Sequence, residues 1–466
     1  MELTWTGVLL LLCVLFILFS SFQMYKKKGQ LPPGPTPWPI LGNLLQQDIL
    51  PLNESYEKLI GQYGPIFTIW IGSKPLVVLC GYEMVKEALI DHAEEFSGRN
   101  IVPTIERIFR NQGLATADER NWKERRQFML STLRNFGMGK KQMSERVQEE
   151  AVCLVEEVGS MQGQPFEPKR RCASAVSNVI CAVVFGNRFD YQDQTFIENQ
   201  KTVESLLKFC SNFTGMVYNS FPRTMEYFPG QHTKTFADIE KLCGFIHEKV
   251  EQNSSKIIYT PENLVRFVLE MLFAGTVSTT NVLVSSLLVV AKLPHIQAKV
   301  QQEIAEVVGT NRIPSMEDRL KMPFTNAVIH EVQRCWKDSL ETFPRAATCD
   351  LKFHGYNIPK YTAVVAVFPS VHFDPLQWET PEKFNPDHFL DEKGQFRKRD
   401  AFMAFSAGKR SCPGEALARM ELFLFFSTLL QKFTFYLDVD TKDMDVISLI
   451  TDFKNNKSPL LRAIKC

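Results

Sequence analysis

The most informative stretch of this chain is Phe405–Gly414, with the sequence Phe-Ser-Ala-Gly-Lys-Arg-Ser-Cys-Pro-Gly. It predicts a loop that holds Cys412 against a haem iron as the axial ligand, because a thiolate pushes electron density onto iron and favours O–O cleavage. Gly408 and Gly414 let the backbone pass close under a flat macrocycle and turn its N–H groups toward the sulfur. The run Glu415–Leu430 predicts a helix that starts at Cys412, and its N-terminal dipole would lower the pKa of the thiol.

The neighbours of Cys412 fit the same interpretation. Arg410 is placed to meet a haem propionate, and Phe405 to shield the sulfur from water. The spacing Phe-x-x-Gly-x-Arg-x-Cys-x-Gly resembles the signature of the cytochrome P-450 superfamily. The alternative for a lone cysteine is a buried free thiol in a glycine turn.

Further motifs of the family occur in the expected order, and the resemblance covers essentially the whole chain. Over Phe402–Gln431 the sequence most resembles the vertebrate microsomal drug- and lipid-oxidising group of the superfamily.

The bulk composition excludes several other classes of protein. The chain has 466 residues, 45% of them hydrophobic and 36 of them Phe, which is enough for a sizeable core. Lys and Arg number 53 against 52 Asp and Glu, so no excess of charge points to a nucleic-acid partner. The 11 cysteines are scattered singly, which argues against a disulfide framework or a zinc site and favours a reducing compartment.

The N-terminal segment differs from the rest of the chain. Trp5–Phe22 is almost wholly apolar and uncharged, with about the length that crosses a bilayer. Glu2 precedes it and Lys26–Lys28 follow it, so the positive-inside rule places everything after Lys26 in the cytosol. Residues 1–28 are therefore predicted to be an uncleaved membrane anchor with its basic cluster. A cleaved signal peptide is the alternative.

The segment that follows the anchor, 29–40, contains the proline-rich run Leu31–Pro39. Closely spaced prolines leave few backbone conformations and predict a stiff hinge, similar to that of microsomal members of the family. Residues 41–466 contain no Gly/Ser linker, repeat or low-complexity tract. They are predicted to form one haem-thiolate catalytic domain.

Local patterns predict mostly helix with small sheets. Strands are predicted as a hairpin over Ile66–Cys80 that turns at Gly72-Ser73, in the patch Ala347–Phe368, and at Phe433–Leu437. Helix is predicted from Glu83 to about Gln333 and again over Glu415–Gln431. These elements match the cytochrome P-450 fold, a single large, mainly α domain around the haem.

Glu331 and Arg334 lie three residues apart and hence on one face of a helix. Alone, such a pair is usually a surface ion pair worth under about 1 kcal/mol. The neighbouring motif Phe384–Phe389 strengthens the resemblance, which implies that the helix pair meets His388 and locks the loop that carries Cys412. Many relatives have arginine at the position of His388.

Several residues are candidates to hold the haem propionates. Trp122 and Arg126 lie one helical turn apart, and an indole N–H with a guanidinium on one face makes a clamp for a carboxylate. The pair matches the W-x-x-x-R motif of the family. Arg99 and His372 match further propionate contacts, with an exposed polar residue as the alternative for each.

A long helix predicted over Thr260–Lys292 carries the candidate oxygen-activating residues. The resemblance implies an Ala-Gly-x-(Asp/Glu)-Thr pattern above the iron, where the small pair opens a groove for dioxygen and the acid and alcohol deliver protons. This chain has Ala274 and Gly275 but Val277 at the acid position and Ser278 at the threonine position. The change predicts leakage to peroxide, or a chemistry that needs no external protons.

Other departures from the family concern the fold and the substrate. The connection Asn253–Tyr259 is shorter than in relatives and suggests a missing helix, and Ala404 and Tyr361 replace the usual Pro and Gly. The segments Ile101–Asn111 and Phe209–Phe228 match regions that line the distal pocket of the family, and their apolar composition predicts an apolar ligand. Either of two arginines in the first segment could pair with a fatty-acid carboxylate or remain solvated: Arg107 and Arg110.

The resemblance implies a haem-thiolate monooxygenase anchored in the endoplasmic reticulum membrane with a cytosolic catalytic domain. It would bind haem b and insert one atom of dioxygen into an apolar small molecule such as a fatty acid, steroid or xenobiotic. Electrons would come from NADPH through a cytochrome reductase, with cytochrome b5 as a second donor. The alternatives are a reductase-independent haem-thiolate isomerase or peroxygenase, and a catalytically impaired membrane protein that binds haem or lipid.

Overall fold

The computed structural model describes residues 5–110, 112–117, 119–135, 141–253, 261–337, 343–438, 444–454 and 459–466. The α-helices in these ranges are α1 (Trp5–Lys28), α2 (Leu52–Tyr63), α3 (Tyr82–Lys86), α4 (Pro103–Phe109), α5 (Glu119–Asn135), α6 (Lys141–Gly159), α7 (Pro168–Phe185), α8 (Gln194–Ser211), α9 (Phe213–Ser220), α10 (Pro222–Met225), α11 (Gln231–Asn253), α12 (Pro261–Lys292), α13 (Pro294–Val307), α14 (Pro323–Cys335), α15 (Phe368–His372), α16 (Glu415–Lys432) and α17 (Val446–Lys454). The strands are β1 (Ile66–Ile71), β2 (Lys74–Leu79), β3 (Gly98–Arg99), β4 (Arg345–Ala346), β5 (Leu351–Phe353), β6 (Tyr356–Ile358), β7 (Ala363–Ala366), β8 (Phe433–Leu437) and β9 (Leu461–Lys465).

The centre of the protein is α12, which packs against α7, α11, α16 and β8. Its apolar side chains point in nearly all directions, as expected for a helix surrounded by other elements. By length and composition alone, Leu264–Lys292 is the one stretch in the described ranges that could cross a membrane, but 67% of its 18-residue apolar window is buried inside the protein. A shorter apolar stretch, Gly7–Phe19, lies in α1.

Five strands form the principal sheet in the order β1-β2-β7-β4-β3. The β1–β2 hairpin is antiparallel, with Ile66 opposite Leu79, as the sequence predicts. Strand β7 runs parallel to β2, while β4 is antiparallel to both β7 and β3. The pairing of β3 with β4 places Arg99 directly opposite Arg345. Strands β5–β6 and β8–β9 form two small antiparallel sheets.

The predicted hinge packs on this sheet. The Leu31 side chain is buried, and the carbonyl oxygen of Pro33 accepts a hydrogen bond from the Thr68 N–H at 2.9 Å. A Cβ atom at Gly34 would lie 1.9 Å from the Thr68 carbonyl oxygen, so only glycine permits this approach. The proline-rich run is thus fixed to the body along part of its length.

The structure confirms the predicted hairpin, the strand patch before α15 and the C-terminal helix and strand. One boundary is wrong: α16 begins at Glu415 with Gly414 as N-cap, rather than at Cys412. Pro413 accounts for the difference, because a proline disfavours the helical conformation in the residue before it. Tyr361 has a φ of 66°, in the left-handed region where glycine is unstrained. The short connection Asn253–Tyr259 lies outside the described residues after Asn253.

Candidate active site

The loop before α16 has a backbone conformation that requires glycine at position 408. The N–H of Cys412 donates to the carbonyl oxygen of Phe405 at 2.9 Å, which closes the loop. Gly408 has a φ of 70°, and a Cβ atom there would lie 1.7 Å from the carbonyl oxygen of Leu89. The loop is therefore pressed against the short π-helical turn Glu87–Asp91, and glycine is required at this contact.

The Cys412 side chain is open to water-sized molecules although protein surrounds it on most sides, as expected at the bottom of a depression. Removal from bulk water raises the pKa of the Cys412 thiol. The N–H groups of Gly414 and Glu415 and the charge of Arg126 oppose this effect. The N–H groups at the helix terminus thus lower the pKa as expected, but desolvation outweighs them, so the net shift in the chain alone is upward.

Two buried arginines lie beside this loop on adjacent strands. Arg345 donates from Nη2 to the Ala407 carbonyl oxygen at 2.8 Å and to Ser406 Oγ at 3.0 Å, while Arg99 donates to the Phe343 carbonyl oxygen. Arg99 Nε and Arg345 Nη1 are buried without a hydrogen-bond partner among the described residues. Burial lowers the pKa of Arg99 to about 10 and, with the charge of Arg99, that of Arg345 to about 9. Two paired like charges in a sheet repel each other, and an anion between them would compensate both.

His372 presents a third buried donor. Its Nε2 accepts a hydrogen bond from the N–H of Met403 at 3.0 Å, so the proton of the neutral ring resides on Nδ1. That Nδ1 has no hydrogen-bond partner in the described part of the chain. Burial, with the nearby charge of Arg334, lowers the pKa of His372 to about 3. The ring is therefore a neutral N–H donor at physiological pH.

Trp122, Arg126 and Arg410 form one stacked group. Arg410 lies 4.4 Å from the centre of the Trp122 ring, and Arg126 lies 5.7 Å from it. Arg410 donates to the carbonyl oxygens of Ser97 at 2.8 Å and Ala117 at 2.9 Å. Arg126 donates from Nη1 to the carbonyl oxygen beside Cys412, that of Ser411, at 2.7 Å. The described hydrogen bonds of Arg126 are thus with the cysteine loop, a role that the sequence did not predict.

The predicted oxygen-activating residues share one stretch of α12. Ala274 and Ser278 are exposed and Gly275 is half-buried, in a helix whose flanking turns are buried. The Ser278 hydroxyl donates to the Ala274 carbonyl oxygen at 2.7 Å. A Cβ atom at Gly275 would lie 3.0 Å from Ile180 Cδ1, so its small size also allows α7 to approach. Val277 packs against the core, and its position supplies no carboxylate.

These residues fit a bound haem. The Cys412 thiol is accessible, and the N–H groups of Arg99, Arg345 and His372 lack acceptors among the described residues. Buried donors without acceptors are rare and costly in folded proteins. The carboxylates of two propionates would satisfy these donors and neutralise the two guanidinium groups.

Comparison with known proteins supports the same conclusion. The cytochrome P-450 family model matches residues 32–260 and 252–458. The chain is 43% identical over 465 residues to cytochrome P-450 2C5 of Oryctolagus cuniculus, covering 95% of each chain. It is 44% identical over 459 residues to cytochrome P-450 2C38 of Mus musculus, covering 93% of this chain and 94% of the relative. The identity with cytochrome P-450 2C20 of Macaca fascicularis is 44% over 468 residues and 95% of each chain.

The chain belongs to the cytochrome P-450 family. It is accordingly a monooxygenase whose family binds haem through a cysteine thiolate. The two segments of the family match overlap at residues 252–260, in the connection before α12.

A buried network behind the cytochrome P-450 site confirms the predicted contact between the two motifs. Glu331 and Arg334 are both fully buried and joined at 2.7 Å, and Arg334 also donates to the carbonyl oxygen of His372 at 2.7 Å. Glu331 accepts from the Asn385 N–H at 2.8 Å and lies 3.2 Å from Nδ1 of His388. The network therefore ties α14 to the helix that carries His372 and to the later motif.

Sequence reasoning missed two residues of this site. The first, Arg345, stands as a lone charge in an apolar stretch next to a proline, and that pattern could have indicated a buried functional arginine. The second, Glu270, lies one turn before Ala274, and burial raises the pKa of its carboxyl group. It accepts a hydrogen bond from the Ala115 N–H at 2.6 Å and so holds the segment before α5 against α12.

Proposed function

We propose that Cys412 is the axial haem ligand of a cytochrome P-450 monooxygenase that oxidises an apolar small molecule. The observation that carries the proposal is the accessible Cys412 thiol in a loop that borders buried N–H donors without acceptors among the described residues. When bound, the haem supplies activation of dioxygen and insertion of one oxygen atom into the substrate. The chain supplies the thiolate, the propionate contacts and the shape of the distal side.

The propionates are held by six residues in this proposal. Four of them are charged guanidinium groups, while the indole of Trp122 and the ring of His372 are neutral N–H donors: Arg99, Trp122, Arg126, Arg345, His372 and Arg410. Phe405 and Gly414 complete the loop, where the Phe405 carbonyl oxygen accepts the hydrogen bond that closes it and the Gly414 N–H favours the thiolate form of Cys412.

The carbon monoxide difference spectrum of the reduced protein tests the ligand. We expect a far-red-shifted Soret band in the wild type, and its loss in Cys412→Ala. Cys349→Ala is a matched control, because Cys349 is also an exposed free cysteine but lies outside the loop. A band that survives in Cys412→Ala would refute the assignment.

On the distal side, Ala274 and Gly275 leave room beside the helix, and the Ser278 hydroxyl is the group placed to pass a proton. A hydroxyl of ordinary pKa relays a proton but cannot act as a strong acid. The monooxygenase is therefore expected to lose part of its reducing equivalents as peroxide.

A reductase-independent isomerase or peroxygenase is the second candidate, and Val277 is the observation that favours it. Val277→Glu separates the two, with Val277→Gln as a matched uncharged control. A rise in product formed per NADPH only in the Glu variant would support the monooxygenase. Peroxide-driven turnover without any NADPH-dependent turnover in all three proteins would support the second candidate. The family membership favours either enzyme over a protein that only binds haem or lipid.

Residues 1–28 are proposed to anchor the enzyme in the endoplasmic reticulum membrane, 29–40 to form the hinge, and 41–466 the cytosolic catalytic domain. The exposed apolar side chains of α1 support the anchor, including Leu9, Leu12 and Phe22. Electrons are proposed to come from NADPH–cytochrome reductase, with cytochrome b5 as a second donor. Removal of residues 1–28 should release the protein from membranes, and turnover with each purified donor tests the partners.

A further inference from the structure

A row of contacts links α14 to the ring of Phe405, in the loop that carries Cys412. The Phe405 carbonyl oxygen closes that loop, and its half-buried ring has its centre 4.9 Å from the guanidinium carbon of Arg419. A guanidinium within about 6 Å of a ring centre is attracted to the face of the ring. The position of the Phe405 ring therefore depends on what holds Arg419.

Arg419 is held at all three of its guanidinium nitrogens. Its Nε and Nη2 both lie 2.9 Å from Oε1 of Glu415, one turn earlier on α16. Its Nη1 forms a hydrogen bond with Nε2 of His330, which lies on α14. The Arg419 side chain is only 23% exposed, so these two partners, more than water, determine where its charge lies. A planar guanidinium bound in this way cannot turn without breaking a hydrogen bond.

His330 is suited to accept the hydrogen bond from Arg419. It is 4% exposed, and its Nδ1 lies 2.7 Å from the Asn326 carbonyl oxygen, so Nδ1 carries the proton of the neutral ring and Nε2 is the acceptor. Burial, with the charge of Arg419, lowers the pKa of His330 to about 3, so the ring is neutral at physiological pH. The rings of Phe396 and Phe402 lie 4.6 and 5.1 Å from the His330 ring and fix its orientation.

We propose that His330 and Arg419 are positioning residues, which keep the Phe405 ring over the cysteine sulfur. This role rests on the proposed function, in which Cys412 ligates the haem. If the ring turned away, water would reach the sulfur, and a hydrogen bond to a thiolate withdraws electron density that the thiolate gives to iron. The two residues therefore act on the iron–sulfur bond through the Phe405 ring.

Resonance Raman spectroscopy of the ferric full-length holoenzyme, recorded without any reductase, tests this role through the iron–sulfur stretching frequency. We expect His330→Phe to lower the frequency, because it removes the acceptor of Arg419 but keeps an aromatic ring and leaves the charges of Arg419 and Glu415 in place. His330→Gln retains an acceptor and should give an intermediate frequency. Arg462→Gln is the matched control: this arginine pairs with Asp438 on β9, and its replacement should leave the frequency unchanged.

The carbon monoxide complex of the reduced protein gives a second measure. Its far-red-shifted band should convert to that of a protonated thiol about tenfold faster in His330→Phe and in Arg419→Gln than in the wild type. Arg419→Lys keeps the charge without the planar fork and should convert at an intermediate rate. Arg419 is partly exposed, so its variants test the role even if His330→Phe does not incorporate haem.

A Phe405→Leu background shows whether the effect passes through the ring. There, His330→Phe should change neither the frequency nor the conversion rate, because the group through which it acts is gone. An effect of His330→Phe as large as in the presence of Phe405 would overturn the proposal. So would a wild-type iron–sulfur frequency in His330→Phe.

Two further outcomes are distinct from these. If the Arg419 variants differed from the wild type only in NADPH-dependent turnover, the arginine would be a contact for the reductase, and the positioning role would be wrong. If the wild-type protein itself lacked the far-red-shifted band, Cys412 would not be the ligand. The proposed function would then fail, and the role of His330 and Arg419 with it.

Discussion

Replacement of Glu331 by glutamine should destabilise the protein by about 3–5 kcal/mol, the usual cost of removing one partner of a buried ion pair. Glu331 and Arg334 are both 0% exposed, so water cannot solvate the guanidinium that loses its partner. The substitution also turns an acceptor of the Asn385 N–H and of the His388 ring into an amide with one carbonyl oxygen. At about 2.1 cal/mol/K of unfolding entropy per residue, this loss lowers Tm by about 3–5 °C in a chain of this size.

The assay is thermal unfolding at a fixed scan rate, with the carbon monoxide difference spectrum as a measure of haem retention. Glu145→Gln is the control, because Glu145 pairs with Lys141 at 3.8 Å on the surface of α6 and its loss should leave Tm unchanged. The double variant Glu331→Gln/Arg334→Met should recover part of the stability, since it removes the orphaned charge. If Glu331→Gln unfolds at the wild-type Tm and retains its haem, the network does not support the site.

Three further predictions concern the loop, the paired arginines and the core. Gly408→Ala should abolish haem incorporation, because the alanine Cβ would lie 1.7 Å from the Leu89 carbonyl oxygen and the backbone φ there is 70°. Normal haem incorporation in this variant would contradict the loop geometry. Arg345→Gln should raise the Tm of the haem-free protein, because it relieves the repulsion with Arg99. The same variant should transfer haem to apomyoglobin faster, because a propionate contact is lost. An unchanged rate of haem transfer would exclude Arg345 as a propionate contact. Burial holds the pKa of Glu421 well above its usual value, so the folded state keeps a proton that the unfolded state releases. Between about pH 4.5 and the raised pKa of the folded state, wild-type stability should therefore fall by about 1.4 kcal/mol per pH unit, and Glu421→Gln should remove that slope in denaturant titrations at several pH values.

Elements that depend on local sequence were predictable. The β1–β2 hairpin follows from alternation around a glycine turn, and α16 follows from a long apolar run after Gly414. The start of α16 was misplaced because the restriction imposed by Pro413 acts on the preceding residue and competes with the helical pattern.

Contacts between distant segments were not predictable from patterns. Arg126 donates to Ser411, 285 residues away, and nothing in the local sequence of either indicates that partner. For Arg345 the local sequence could indicate burial, but not that it faces Arg99, because that contact depends on the pairing of β3 with β4. The contact of Glu331 with His388 was anticipated only through the resemblance to the family. The lowering of the Cys412 pKa by the helix terminus was anticipated, but not the larger opposing effect of desolvation, which depends on the complete tertiary structure.

The facing guanidinium groups of β3 and β4 have a consequence for the life of the protein in the cell. A newly made chain must bring two cations together before it can complete its main sheet, and a dianionic prosthetic group removes that obstacle. Binding that favours only the folded state increases the folded population by mass action, and the unfolded remainder is cleared by proteases. We therefore expect the amount of this enzyme to follow the supply of haem, so that cells short of it would contain less of the protein rather than an inactive form.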